Sequence, residues 1–265
     1  MNRNRLFWGL SVMLLGSLLL LNSLGFIHMN VWKFVGPGVL ILLGVWFIIN
    51  SVFQKTPDAP ESLSISREGE TELDLDISHG AGQLRISADQ SSTTLLQGTF
   101  LNGVESKVDR QGPVTKVNLK PFADPVNIII PGNFHGLNWD VKLNPDLPIS
   151  IKLSDGASDT FLNLSQVNLK SLDISTGASK TEVTFSEKSL FTRAKIGAGV
   201  AEVIVNVPTQ VAASIVVNGK ELSSIKVDTT RFIQQGDRYE SAEYATAEKK
   251  LDLEINPGLG EVNIR

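Results

Sequence analysis

Ile77-Ser-His-Gly-Ala-Gly-Gln-Leu-Arg-Ile86 reads as a short aliphatic strand, a narrow corner and a second short strand. The pattern returns as Leu153-Ser-Asp-Gly-Ala-Ser-Asp-Thr-Phe-Leu162 and as Ile174-Ser-Thr-Gly-Ala-Ser-Lys-Thr-Glu-Val183. It recurs as Ile196-Gly-Ala-Gly-Val-Ala-Glu-Val203 and as Ile255-Asn-Pro-Gly-Leu-Gly-Glu-Val262. The corner glycines read from these units are Gly80, Gly156, Gly177, Gly197 and Gly258, spaced by 76, 21, 20 and 61 residues. The short spacings define a unit of about 20 residues, and the long ones read as several such units. Gly103, Gly132, Gly219 and Gly236 fall inside those wide gaps. A sharp corner needs a residue without side-chain bulk that tolerates positive φ, and glycine meets both demands. The flanking aliphatics then point into an interior that no single unit could bury alone. The expected fold is mainly β: a β-solenoid, or β-helix, of roughly 20-residue coils, about eight or nine in number. A β-sandwich would need hairpin turns rather than a recurring Gly-Ala-Gly/Ser corner.

Strand-like alternation extends outward from these units. Leu73, Leu75 and Ile77 alternate with Glu72, Asp74 and Asp76, and Leu251, Leu253 and Ile255 alternate with Asp252, Glu254 and Asn256. A period of two marks strands with one buried face. The solenoid domain is placed at 62–265, with residues 238–250 as the one candidate for a short helix.

The first 54 residues are different. Leu6–Ile27 runs 22 residues and Phe34–Phe53 runs 20, neither with an Asp, Glu, Lys or Arg. At 1.5 Å per residue, each is long enough to cross about 30 Å of hydrocarbon as a helix. Residues 1–54 are therefore expected to form a two-helix transmembrane hairpin, with spans at about 6–27 and 34–53 and a proline-bearing linker at 55–61. The first run exceeds the usual apolar length of a signal peptide, and no small-x-small site closes it. Gly9 and Gly16 on one helix, and Gly36 and Gly44 on the other, offer small faces for packing the hairpin on itself or against a partner's helices.

Charge bears on orientation and on partners. Arg3 and Arg5 precede the first span, Lys55 and Arg67 follow the second, and the loop between offers Lys33 and His28. The positive-inside bias places both termini in the cytoplasm. Beyond residue 54 the chain carries 21 Lys and Arg against 28 Asp and Glu, a poor match for a phosphate backbone, so no nucleic-acid partner is expected. Without cysteine there are no disulfides, thiolate metal sites or cysteine nucleophiles.

The residues Arg5-Leu-Phe-Trp-Gly-Leu, Leu14-Leu-Gly-Ser-Leu-Leu-Leu-Leu-Asn, Trp32 and Gly36-Pro-Gly-Val-Leu-Ile-Leu-Leu-Gly44 resemble the LiaI/LiaF-like transmembrane region. The Ile-Ser-x-Gly-Ala-[Gly/Ser] units and the terminal Gly258-Leu-Gly-Glu-Val-Asn-Ile264 resemble toastrack, or putative-adhesin-type, β-helix domains. The resemblance implies a multi-pass bacterial membrane protein that modulates an envelope-stress sensor kinase or a neighbouring membrane complex.

A catalytic reading of His79 would pair it with Asp76 or Asp89, since an imidazole near a carboxylate can act as a general base. Its slot before the corner glycine holds Asp155, Thr176 and Pro257 in other units, as expected of an exposed, variable corner position. Asp155 and Asp159 bracket one corner, but the next unit has Thr176 and Lys180, so no acidic ladder for calcium is built. No nucleophile elbow, Walker loop or dinucleotide fingerprint occurs, and no metal or cofactor is expected. Residues 231–250 depart from the repeat and hold Phe232, Tyr239 and Tyr244, read either as a partner-binding surface or as a cap on one end of the solenoid. The leading functional expectation is a non-catalytic, membrane-anchored docking or regulatory module in the cell-envelope stress response. The alternatives are an exported adhesin-like module and a carbohydrate-active β-helix.

Overall fold

A computed structural model describes residues 60–122, 136–219 and 223–265, together with Gly9, Met13, Gly16, Ser17, Pro37, Leu40, Ile41 and Gly44. Those eight positions are helical. The rest of the expected spans 6–27 and 34–53, and most of the linker 55–61, lie outside the described residues. Among the described residues no helix is long and apolar enough to cross a membrane.

From residue 60 onward the described chain is strand and turn. In order, the strands are β1 (Glu61–Ser66), β2 (Glu72–Ala88), β3 (Thr94–Phe100), β4 (Glu105–Gln111), β5 (Val114–Lys120), β6 (Leu137–Leu143) and β7 (Ile149–Asn163). They continue with β8 (Leu169–Thr184), β9 (Phe191–Asn206), β10 (Ala212–Val217), β11 (Ser223–Val227), β12 (Phe232–Gln235), β13 (Arg238–Ser241) and β14 (Lys250–Ile264).

The five repeat units are the five long strands, stacked in parallel in the order β2, β7, β8, β9, β14. Each bends once, at its glycine. In β2 the buried residues are Leu73, Leu75, Ile77 and His79 before the corner, then Leu84 and Ile86 after it. The alternation slips by one residue at the bend, so both arms turn their aliphatic sides to the same interior. Short return segments carry the chain from the end of one second arm to the start of the next first arm. They also stack by backbone hydrogen bonds, Leu164 N to Thr184 O at 2.9 Å and Phe185 N to Asn206 O at 3.0 Å.

The expectation of eight or nine coils is corrected to seven layers among the described residues. The wide gaps contribute one split layer each. At one end β5 and β6 run parallel to the two arms of β2. At the other, β10 and β11 run parallel to the two arms of β14. Antiparallel strands cover most of the outer edges: β4 on β5, β3 and then β1 on β6, β13 and then β12 on β10. Hairpins therefore do occur, but only where the stack must stop and its edge needs cover. The expected helix over 238–250 is strand and turn instead, because Tyr239 and Ser241 alternate inward from β13 and pair it with β10.

Two corrections concern the corner. Register aligns Gly80, Gly156, Gly177, Gly199 and Gly258, so Gly199 and not Gly197 is the corner residue of β9; Gly197 pairs with Ser175 and Asn256. Nor is positive φ the reason for this column, since none of these five residues adopts it. The reason is contact. A Cβ on Gly177 would lie 2.8 Å from the carbonyl oxygen of Gly156, and one on Gly258 would lie 2.1 Å from that of Gly199. Positive φ appears two residues past the corner glycine in both β2 and β14, at Gly82 (140°) and Gly260 (144°).

The cap at the β5/β6 end is clipped by a buried carboxylate. Glu70 is 4 % exposed and accepts from the Glu68 backbone N–H at 2.5 Å, from Arg110 Nε at 2.9 Å and from Thr115 Oγ1 at 3.2 Å. Burial alone would raise its pKa, but these donors outweigh burial and lower it from 4.5 to about 2. Because the folded value is depressed, the stabilisation is present above pH 4.5 and is lost as pH falls towards 2. Thermal melts from pH 7 to pH 2 should show this acid-limb loss, and Glu70→Gln should melt lower at pH 7 with a flatter acid limb. A second set of melts checks the corner: Gly177→Ala and Gly258→Ala should each cost about 1–3 kcal/mol through overpacking. Gly197→Ala, whose Cβ would sit 3.7 Å from the nearest backbone oxygen, should stay within about 0.5 kcal/mol of wild type.

Candidate functional site

The slot before the corner glycine points inward, and in the first layers it is polar. His79 on β2 is 5 % exposed, against the expectation of an open corner position. Neither Asp76 nor Asp89 is its partner. Its Nδ1 meets Asp155 Oδ1 at 3.1 Å and its Nε2 meets the Leu137 carbonyl at 3.1 Å. The edge of its ring also packs on Trp139, with centroids 5.3 Å apart. On β7, the second oxygen of Asp155 accepts from the hydroxyls of Ser158 and, at 2.5 Å, Thr160. One layer further the carboxylate gives way to hydroxyls, Thr176 to Ser179 at 2.5 Å and Ser179 to Thr181 at 3.2 Å. By β9 the same inward positions are Ala198, Ala201 and Val203. The cluster is a polar plug that fades into the aliphatic interior.

Could this histidine, carboxylate and hydroxyl do chemistry? In a serine nucleophile site the imidazole stands between carboxylate and hydroxyl, so that it can take the hydroxyl proton. Here the carboxylate stands in the middle, and both ring nitrogens face oxygen acceptors. Neither is left as a base aimed at solvent. Burial would push the Asp155 carboxyl up, yet the hydrogen bonds from His79, Ser158 and Thr160 hold it below its ordinary range. Asp159 is exposed and faces outward, so the two acids of this corner lie on opposite sides of the strand. No group of three or more metal-ligating side chains occurs among the described residues.

The outer face of the first arms holds what the sequence reading missed. Register brings Asp76, Lys152, Asp173, Lys195 and Glu254 into one row across β2, β7, β8, β9 and β14. Signs alternate at strand spacing, about 4.8 Å per step, and the Lys195–Glu254 pair closes to 3.3 Å. Each of these residues immediately precedes the first aliphatic of its repeat unit, a signal visible once the units are aligned on Gly199. Beside this row the β4–β5 hairpin borders a groove of about 650 Å3, where Lys107, Lys116 and Lys152 face Asp74, Asp76 and Asp173.

The aromatic segment is placed differently from its partner-surface reading. Phe232 is fully buried and Tyr239 is 9 % exposed, so both belong to the interior of the β10/β11 end. Tyr244 is part-buried, donates to Asp252 and lies beneath Lys250 Nζ at 5.5 Å from its ring centre. The capping alternative describes these residues; on β12 it is Ile233 that stands 53 % exposed.

Residues 54–206 match the family described as the N-terminal domain of toast_rack, DUF2154. The chain belongs to the toast-rack family. Its fold is shared with a "putative cell adhesion protein" from Clostridium sporogenes, at 24 % identity and a TM-score of 0.68, over 78 % of this chain and 99 % of that one. At that identity the likeness concerns the fold. A "putative adhesin" from Bacteroides fragilis aligns over 78 % of this chain and 98 % of its own at 10 % identity, with a TM-score of 0.31, too low to carry an argument. No curated protein matches the chain. The toast-rack match ends at the last residue of β9, so β14, which lies directly on β9, is outside it.

The corner plug predicts unequal roles for its two acids. Asp155→Asn should cost about 1–3 kcal/mol in urea unfolding, since it mismatches donors that remain buried. Asp159→Asn should change stability by less than about 0.5 kcal/mol.

Proposed function

We propose that this toast-rack protein is a non-catalytic docking module, tethered to the bacterial cell membrane, that offers its outer groove to a protein partner. The observation that carries the reading is how the polar chemistry is spent. The His79–Asp155–Ser158–Thr160 cluster is bonded within itself and closed to solvent, whereas the charged rows stand outside on a rigid wall. A wall of alternating signs suits a partner with its own fixed charge pattern, because register errors then place like charges together. The tether is supported by the two charge-free apolar runs, and a cytoplasmic position for both termini by Arg3, Arg5, Lys55 and Arg67 around them. The likeness of residues 5–50 to the LiaI/LiaF-like region supports a regulatory role towards a membrane sensor kinase of the envelope stress response. Stoichiometric contact would be the mechanism: helices hold the partner in the bilayer and the groove holds its soluble part.

Photo-crosslinking side chains at Lys152 and Asp173 should trap a discrete partner in native membranes, while one at Asn206 on the other arm should not. Removal of residues 1–55 should abolish recovery of that partner. Equal trapping at all three positions, or unchanged recovery after the deletion, counts against the proposal. The adhesion-protein description of the structural neighbour favours a second reading, an exported adhesin-like module. A reporter fused after Arg265 separates the two, being active in the cytoplasm for the first and only outside it for the second.

A further inference from the structure

The outside of the bend carries an uncharged strip that crosses all five long strands. One residue past each corner glycine, Ala81, Ala157, Ala178, Val200 and Leu259 fall in a single column, all exposed. Val200 is 60 % and Leu259 54 % exposed, and Phe122, at the β5/β6 end, is 67 % exposed. On the first-arm side the strip is bordered by Ser78, Ser154, Ser175, Gly197 and Asn256, all uncharged. On the other side stand Asp159, Lys180, Glu202 and Glu261, with no run of basic residues.

The chain also enters the domain at this strip. Glu61 accepts from Val104 N at 3.3 Å, and Gly103 lies between the Glu61 carboxylate and Phe122. Asn102 Nδ2 donates to Gly136 O at 3.1 Å, and Gly136 rests on Gly82, next to Ala81. Only residues 54–59 separate Pro60 from the end of the second apolar run, a tether of at most about 20 Å.

We propose that this strip is a lipid-facing keel: the bend of the rack lies along the surface of the bilayer, with Phe122, Val200 and Leu259 against its headgroup region. The inference rests on the membrane-tethered reading above. Three observations select a lipid surface over other occupants. The strip starts where the tether ends. Its exposed aliphatic side chains Val200 and Leu259 stand on β9 and β14, layers far from that attachment, giving a second point of contact. Its borders carry no cluster of cations, which fits a zwitterionic surface better than an anionic one. Two aliphatic side chains and an aromatic one are too little for stable anchoring by themselves. A short tether supplies the high effective concentration that makes so weak a contact persist.

The chain has no cysteine, so single labels can be placed without removing any residue's native thiol. Full-length Thr56→Cys, Asp173→Cys, Val200→Cys and Leu259→Cys proteins carry an environment-sensitive fluorophore in phosphatidylcholine vesicles with headgroup spin label. Labels at positions 56, 200 and 259 should be quenched at least about twofold more than the label at 173, as for groups held at the interface. Adding Leu259→Glu should relieve the quenching at position 200 and leave that at 56. If position 56 is quenched while 200 and 259 behave like 173, the keel is refuted and the tether stands. If position 56 is unquenched, both fail. Disulfide-linked pairs through position 259 without quenching would assign the strip to a second copy of the chain and overturn the proposal.

Discussion

At the bend of every inner layer, two backbones meet with nothing between them. The Gly156 carbonyl lies where a Cβ of Gly177 would be, the Gly177 carbonyl where one of Gly199 would be, and the Gly199 carbonyl where one of Gly258 would be. Strands in a sheet stand about 4.8 Å apart along their whole length, and side chains normally leave that spacing untouched because they project from the faces. A tight bend turns one Cα–Cβ direction into the stacking axis. Only glycine lets the spacing continue through such a corner. Each arm can then keep its ladder, each ladder its register, and each register the inward alternation that fills the core.

Register in turn organises the polar groups. The inward slot next to the glycine turns with the backbone and is buried in β2, β7 and β8, which is why His79 and Asp155 must find each other. A buried polar group without a partner is costly, and the plug meets that cost by pairing across layers. The outward positions are free of that demand. There the same register makes an alternating row of Asp and Lys that stabilises stacking weakly and punishes a one-layer slip.

The architecture was legible because its unit is local: alternation on either side of a small-residue corner can be seen in ten residues. The layer count was not, since the wide gaps contain split layers and antiparallel caps whose order in space differs from their order in the chain. The identity of the β9 corner was misread because Ile196-Gly-Ala-Gly has two glycines, and only pairing with Gly177 and Gly258 decides between them. The burial of Phe232 and Tyr239 was equally hidden. An end cap needs large apolar groups as an interface does, and sequence alone does not say which side of a short strand faces in. The pairing of His79 with Asp155, 76 positions away, follows from stacking two units that are adjacent in space but distant in the chain.

The last of the described strands is an inner one. β14 is laid between β9 and the β10/β11 layer, both of which precede it in sequence. During synthesis, two parallel edges therefore wait for a strand still inside the ribosome, and each is a template for any extended segment that arrives first. A strand of the same sequence supplied from outside would fit the same slot, so a chain truncated before Lys250 is open to complementation in trans by a peptide spanning 250–265.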